Sequence, residues 1–120
     1  MPPHPTVVWT EIPVRDLEAA IAFYSGLFGW SMQRDESGPN PMASFSDDMQ
    51  AVGGHLYPGE PAKGNGPTVH LAVRGALEDA MEACTRLGGA VVSPVITIPP
   101  GRFAYATDPD GNSLGLFEPA

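Results

Sequence analysis

Two stretches of this chain, about sixty residues apart, carry one pattern. Val14-Arg15 returns as Val73-Arg74 at an offset of 59, and Leu17-Glu18, Ala20, Leu27 and Gly29 return as Leu77-Glu78, Ala80, Leu87 and Gly89 at 60. Ser46-Asp47 and Gly54 return as Thr107-Asp108 and Gly115 at 61. A drift of two residues across half a chain points to two copies of one supersecondary unit. Each copy reads strand, helix, strand, strand, strand. Such a unit covers one face of its sheet with its helix and leaves the other bare, so two copies are expected to bury those faces against each other or around a ligand. The predicted fold is α+β, with two tandem β-α-β-β-β modules forming a half-open, barrel-like sheet. The modules span 6–57 and 67–118 of a single 120-residue domain, joined by a Pro/Gly-rich linker at 58–66.

The local signals fit this division. Val7 to Val14 alternates as a strand, with Val8, Ile12 and Val14 on one face and Val7, Trp9 and Glu11 on the other. Asp16 can cap a helix over 17–28, in which Leu17, Ala20, Ile21, Tyr24, Leu27 and Phe28 recur at helical spacing before Gly29 stops it. Trp30 to Arg34, Met42 to Phe45 and Ala51 to Tyr57 read as short strands, and 77–87 as the second helix. Near the end, Phe103 to Thr107 and Leu114 to Phe117 form a hairpin across Asp108-Pro109-Asp110-Gly111. That tetrapeptide has an Asx residue first, Pro fixing φ second and Gly fourth, so it is assigned a structural role as a turn. Ser46-Asp47-Asp48 is its expected counterpart in the first module.

Charge and cysteine content narrow the partners. Fourteen Asp and Glu against six Lys and Arg give a net charge of −8. Such a surface repels phosphate, which argues against nucleic acid and anionic membranes and leaves small cations or neutral molecules. The lone Cys84 cannot form an internal disulfide and falls in a helical pattern, as expected of a buried, inert thiol in a cytoplasmic protein. No apolar run reaches membrane-spanning length, and Met1 to Pro5 lacks the basic and apolar regions of a signal peptide.

Three stretches together resemble the vicinal oxygen chelate superfamily, which includes glyoxalase I, extradiol dioxygenases, fosfomycin-resistance proteins and bleomycin-binding proteins. They are VVWTEIPVRDLEAAIAFYSGLFGW, the Leu87-Gly88-Gly89 after the second helix, and FAYATDPDGNSLGLFE. The FGW and DPDGN elements look most like the lactoylglutathione-lyase-related subgroup. The resemblance covers essentially the whole chain and implies the fold; it does not imply one reaction, because the superfamily spans lyases, oxygenases, transferases and plain binders. It also implies pairing as a homodimer. Carried over position by position, the superfamily's four metal-ligand positions read Trp9, Gly54, Thr68 and Gly115. None offers the imidazole or carboxylate that a divalent ion needs, so no metal cofactor is expected unless the site is shifted.

Other residues could carry chemistry in the cleft. Period-two geometry puts Glu11 on the face of Trp9 and His70 on the face of Thr68. The Trp9 ring, standing where an ion would sit, can stack on a flat ligand or attract a cation, and Phe117 can add a second wall beside Gly115. His55, paired in register with Leu116, is expected to face away; a one-residue slip would turn it in. His4 is expected to be solvated and Arg102 to play a surface role. The substrate-binding set is therefore Trp9, Glu11, Gly54, Thr68, His70, Gly115 and Phe117, with no catalytic residue assigned. Two readings follow. One is a metal-free small-molecule binder working in the cleft between modules; the other is a glyoxalase- or dioxygenase-related metalloenzyme with a site shifted onto Glu11, His70 and His55.

Overall fold

The computed structural model describes residues 7, 9–46 and 53–120. Strand β1 (Trp9–Val14), helix α1 (Leu17–Phe28), β2 (Ala43–Ser44) and β3 (Gly53–Pro58) come first. They are followed by β4 (Val69–Ala72), α2 (Leu77–Arg86), β5 (Ala90–Val91), β6 (Ile96–Ile98), β7 (Gly101–Thr107) and β8 (Ser113–Pro119). The strands make two sheets, ordered β1-β3-β2 and β4-β8-β7-β5, with β6 paired beside β7. In each sheet the first strand pairs in parallel with the last, β1 with β3 and β4 with β8, and the other pairings are antiparallel. A parallel pair needs a crossover, and α1 and α2 lie on those crossovers. The architecture is the mixed α+β one expected, with two sheets that do not close into a barrel. His4, Asp47, Asp48, Ala51 and Val52 lie outside the described residues.

Local chemistry explains the helix ends. The Asp16 carboxylate accepts the Ala19 amide at 3.2 Å, and Gly29 ends α1 with φ +73°. Ala76 supplies no cap to α2; the Glu118 carboxylate, reaching over from β8, accepts the Leu77 amide at 2.6 Å. Arg102 donates to both Glu78 oxygens at 2.6 Å and to Glu118 at 2.9 Å. Those hydrogen bonds hold both carboxyls below the ordinary glutamate range. Arg102 is thus a clamp between helix and sheet.

The two modules share one core on the helix side. Ile12 and Val14 of β1, Tyr24 and Phe28 of α1, Leu56, Leu77, Cys84, Leu114 and Leu116 form a single buried cluster. Gly26 allows the Leu87 side chain against α1, since a Cβ there would lie 3.1 Å from Leu87 Cδ1. Outside this cluster, Trp9 of the first sheet and Tyr105 of the second stay partly exposed. Trp30 to Arg34 forms no strand. The Trp30 ring is instead stacked between Phe28 and Phe45, at centroid distances of 4.6 and 4.9 Å, and only a single bridge, Asp35 to Met42, follows. The second module carries an extra short strand, β6, that the repeat did not announce.

The Asp108 to Gly111 turn does more than reverse the chain. Its closing bond runs from the Gly111 amide to the Asp108 carbonyl at 3.0 Å, and Gly111 sits at φ +97°. Asp108 is buried and accepts four hydrogen bonds. Oδ1 takes the Asp110 and Asn112 amides at 2.9 Å each; Oδ2 takes the Tyr24 hydroxyl at 2.8 Å and Asn112 Nδ2 at 2.9 Å. Asn112 Nδ2 also donates to the Pro13 carbonyl at 2.8 Å. The last hairpin is thereby locked to both α1 and β1 of the first module. Burial and the adjacent Asp108 carboxylate push the Tyr24 phenol far above its ordinary range, so it remains a donor.

Candidate functional site

β1 and β4 each end a sheet, and a cleft of about 840 Å³ lies between them. Trp9, Glu11 and Pro13 line it from β1, and Thr68, His70 and Leu71 from the β4 side. The linker forms another wall through Glu60, Pro61 and Asn65, and the start of β8 adds Ser113 and Leu114. The linker is held there by the Gly59 amide on the Val14 carbonyl at 2.9 Å and the Gly64 amide on the Gly111 carbonyl at 2.7 Å. What reads in sequence as a passive spacer is part of the wall.

Four of the seven expected residues, Trp9, Glu11, Thr68 and His70, line this one cleft. The other three do not. Gly54 is buried, and a Cβ there would collide with the Thr10 carbonyl and the Phe45 ring. Gly115 is also buried, and a Cβ on it would collide with the His70 ring, so its lack of a side chain makes room for that imidazole. Phe117 belongs to an aromatic shelf beside His70, with centroids 6.4 Å apart, where Phe103 and Tyr105 also meet the imidazole edge-on at 5.0 and 5.8 Å.

His55 corrects the expected register. Glu11 pairs with His55; His70, which stands 59 residues after Glu11 and so occupies the same place in the repeat, pairs with Gly115, so His55 rather than Gly54 is the structural equivalent of Gly115. The first module carries one more residue between Asp47 and this strand than the second carries after Asp108, and that residue moves His55 onto the face of Trp9 and Glu11. Both His55 nitrogens are engaged there. Nδ1 accepts the Trp9 indole N–H at 3.0 Å, and Nε2 lies 3.2 Å from a Glu11 carboxylate oxygen. An indole nitrogen can only donate, so Nδ1 presents its lone pair to it and Nε2 carries the proton shared with Glu11.

Tethered this way, the Trp9 ring is fixed in direction yet 49% exposed. Its one hydrogen-bond donor is spent on His55. What it offers a ligand is its π face. Thr68 Oγ1 and Ser113 Oγ bond one another at 2.6 Å, so these two hydroxyls also partly satisfy each other.

The residues do not fit a divalent ion of the kind the fold family holds. His55 has no free lone pair, Gly54 and Gly115 have no side chains, Thr68 is bonded to Ser113, and Trp9 is no ligand. Among the described residues no three His, Cys, Asp or Glu side chains converge. Cys84 is buried, which raises its thiol pKa and keeps it out of such chemistry. Among the same residues no helix is long and apolar enough to cross a membrane.

Comparison with known proteins gives a family. The model of the Glyoxalase/Bleomycin resistance protein/Dioxygenase superfamily matches residues 6–116. CFP32 of Mycobacterium tuberculosis, whose name marks it as a candidate glyoxylase, is 32% identical over 118 residues, covering 96% of this chain. The chain spans only 44% of that relative's length. A glyoxylase-like domain-containing protein of Didymella fabae is 31% identical and is matched over 93% of its length and 94% of this chain. Among solved structures, the hypothetical protein SA1046 of S. aureus superposes with a TM-score of 0.72 at 23% identity, over 92% of this chain and 94% of its own. TnmS3, an antibiotic binding protein from Streptomyces sp. CB03234, superposes with a TM-score of 0.65 at 24% identity, over 98% of both chains. With its mixed α+β fold, its repeated parallel pairing of first and last strands and this match over nearly its full length, the chain belongs to the Glyoxalase/Bleomycin resistance protein/Dioxygenase superfamily.

Proposed function

We propose that the chain binds a small organic molecule in the cleft between β1 and β4, and that it does so without a metal ion. In this reading the modules at 6–57 and 67–118 supply the two walls and the linker at 58–66 closes one side. One observation carries it: a half-exposed tryptophan faces the cleft with its N–H already bonded to His55, so the protein spends ordering energy to present a bare aromatic face. The cleft volume suits a drug-sized ligand. The likeness to TnmS3, an antibiotic binding protein, supports binding as a use of this fold.

The test is thermal shift with a neutral bicyclic probe, 2-naphthalenemethanol, with EDTA or with added Zn²⁺, Ni²⁺ or Mn²⁺. Stabilisation that is saturable in EDTA, unchanged by metals and lost in Trp9→Ala supports the proposal. Stabilisation that requires a metal, or that Trp9→Ala leaves intact, overturns it. The Glu11–His55 pair favours a second reading, in which it serves as an acid–base couple beside the cleft. Turnover of a thiohemiacetal or catechol probe that falls about 100-fold in Glu11→Gln, with the fold intact, would establish that reading instead.

A further inference from the structure

We infer that the cleft selects its ligand by charge, taking a flat cationic molecule and rejecting anions; this rests on the binding reading above. Among the described residues, the charged side chains on the cleft are two carboxylates, Glu11 and Glu60, and no Lys or Arg lines it. The other titratable group there is His70. Glu11 lends one oxygen to the His55 N–H at 3.2 Å and stays 64% exposed, so its charge is oriented but not neutralised by a cationic partner. It stands two residues along β1 from Trp9, on the same face and on the same imidazole.

This combination has a definite preference. A cation over an indole face is attracted by the ring quadrupole, and a carboxylate at the rim adds Coulomb attraction that low-dielectric walls strengthen. An anionic ligand meets the opposite on every count. It would be desolvated against two carboxylates, find no Lys or Arg among the described lining residues to pair with, and approach a protein of net charge −8. Substrates that carry several carboxylates or a phosphonate therefore do not suit this cleft. A planar amine, amidine or quaternary ammonium compound does.

A size-matched series of probes tests this: 2-naphthylmethylammonium, 2-naphthalenemethanol and 2-naphthoate, titrated calorimetrically at pH 8 in low salt and in 0.3 M NaCl. The expected order of affinity is cation, neutral, anion, with the cation at least about tenfold tighter than the neutral probe in low salt. The cation-to-neutral ratio should fall below about threefold in Glu11→Gln/Glu60→Gln, and by a smaller factor in Glu60→Gln, which leaves the His55 contact untouched. Glu82→Gln, on the exposed side of α2, controls for net charge and should leave the ratio in place. Equal binding of cation and neutral probes, or a ratio that survives the double substitution, overturns charge selection. If the neutral probe still binds and Trp9→Ala abolishes it, binding in the cleft stands while its charge preference falls. If no probe binds at all, both fall.

Discussion

Replacing Asp108 by Asn tests the lock between the modules with almost no change in shape. Asp108 is 3% exposed and accepts four hydrogen bonds, two on each oxygen. An amide keeps one oxygen and turns the other into a donor. Facing Oδ1's partners, that donor would oppose two backbone N–H groups. On the Oδ2 side the Tyr24 hydroxyl can turn and accept, but Asn112 Nδ2 still meets a donor. The better arrangement loses one hydrogen bond to a charged acceptor, worth about 1.5–3 kcal/mol, and leaves a buried donor unsatisfied at about 1–3 kcal/mol. Easier burial of a neutral amide offsets part of this. The net expectation is a loss of about 2–4 kcal/mol at pH 7. Urea unfolding followed by circular dichroism measures it as a fall in midpoint at unchanged slope. Tyr24→Phe should lose about 1–2 kcal/mol, and the double variant should lose less than the sum, because both substitutions break one bond. A loss under about 1 kcal/mol for Asp108→Asn, or strict additivity with Tyr24→Phe, would refute the lock.

Two further predictions concern the sheet faces and the clamp. Gly115→Ala should expel the His70 ring from its place against Phe103 and Phe117, seen as a shift of the His70 imidazole signals by NMR with a stability loss of about 1–3 kcal/mol; an unmoved ring would contradict the register. Glu78 and Glu118 have folded pKa values below their unfolded value of 4.5. The stability they contribute is therefore present above about pH 4.5 and lost as pH falls through their lowered folded values. Arg102→Ala should flatten that acid limb of the stability profile, and an unchanged limb would show that the clamp contributes nothing.

The repeat carried the frame of each module, an opening strand, a crossover helix and a closing strand, because matching residues at offsets of 59 to 61 are a global signal; it did not carry the number of strands, which among the described residues is three in the first module and five in the second. Trp9, Glu11, Thr68 and His70 do border the cleft, but so do Thr10, Ile12, Val69 and Leu71 from the opposite faces, because the cleft opens between two strand edges and not over one sheet face. His55 was misplaced for a physical reason. Its face depends on register with β1, and a single extra residue upstream shifts that register without leaving a local mark. Trp30 to Arg34 has the composition of a strand, yet β2 is two residues long and the Trp30 ring finds better burial between Phe28 and Phe45. The DPDGN motif announced its turn, while its bond to Tyr24, 84 residues away, was invisible to any local reading. The linker's place in the cleft wall was equally hidden, because breaker residues specify only that the chain bends.

Of all measurements, the indole N–H signals of the two tryptophans test metal-free binding in the cleft most directly. Trp9 borders the cleft and Trp30 is packed in the aromatic stack of the core, so the pair separates a ligand in the cleft from one elsewhere. Titrating 2-naphthalenemethanol into ¹⁵N-labelled protein in EDTA should move the Trp9 signal saturably and leave that of Trp30 in place. Movement of Trp30 alone, or movement of Trp9 only after a divalent metal is added, would contradict the account.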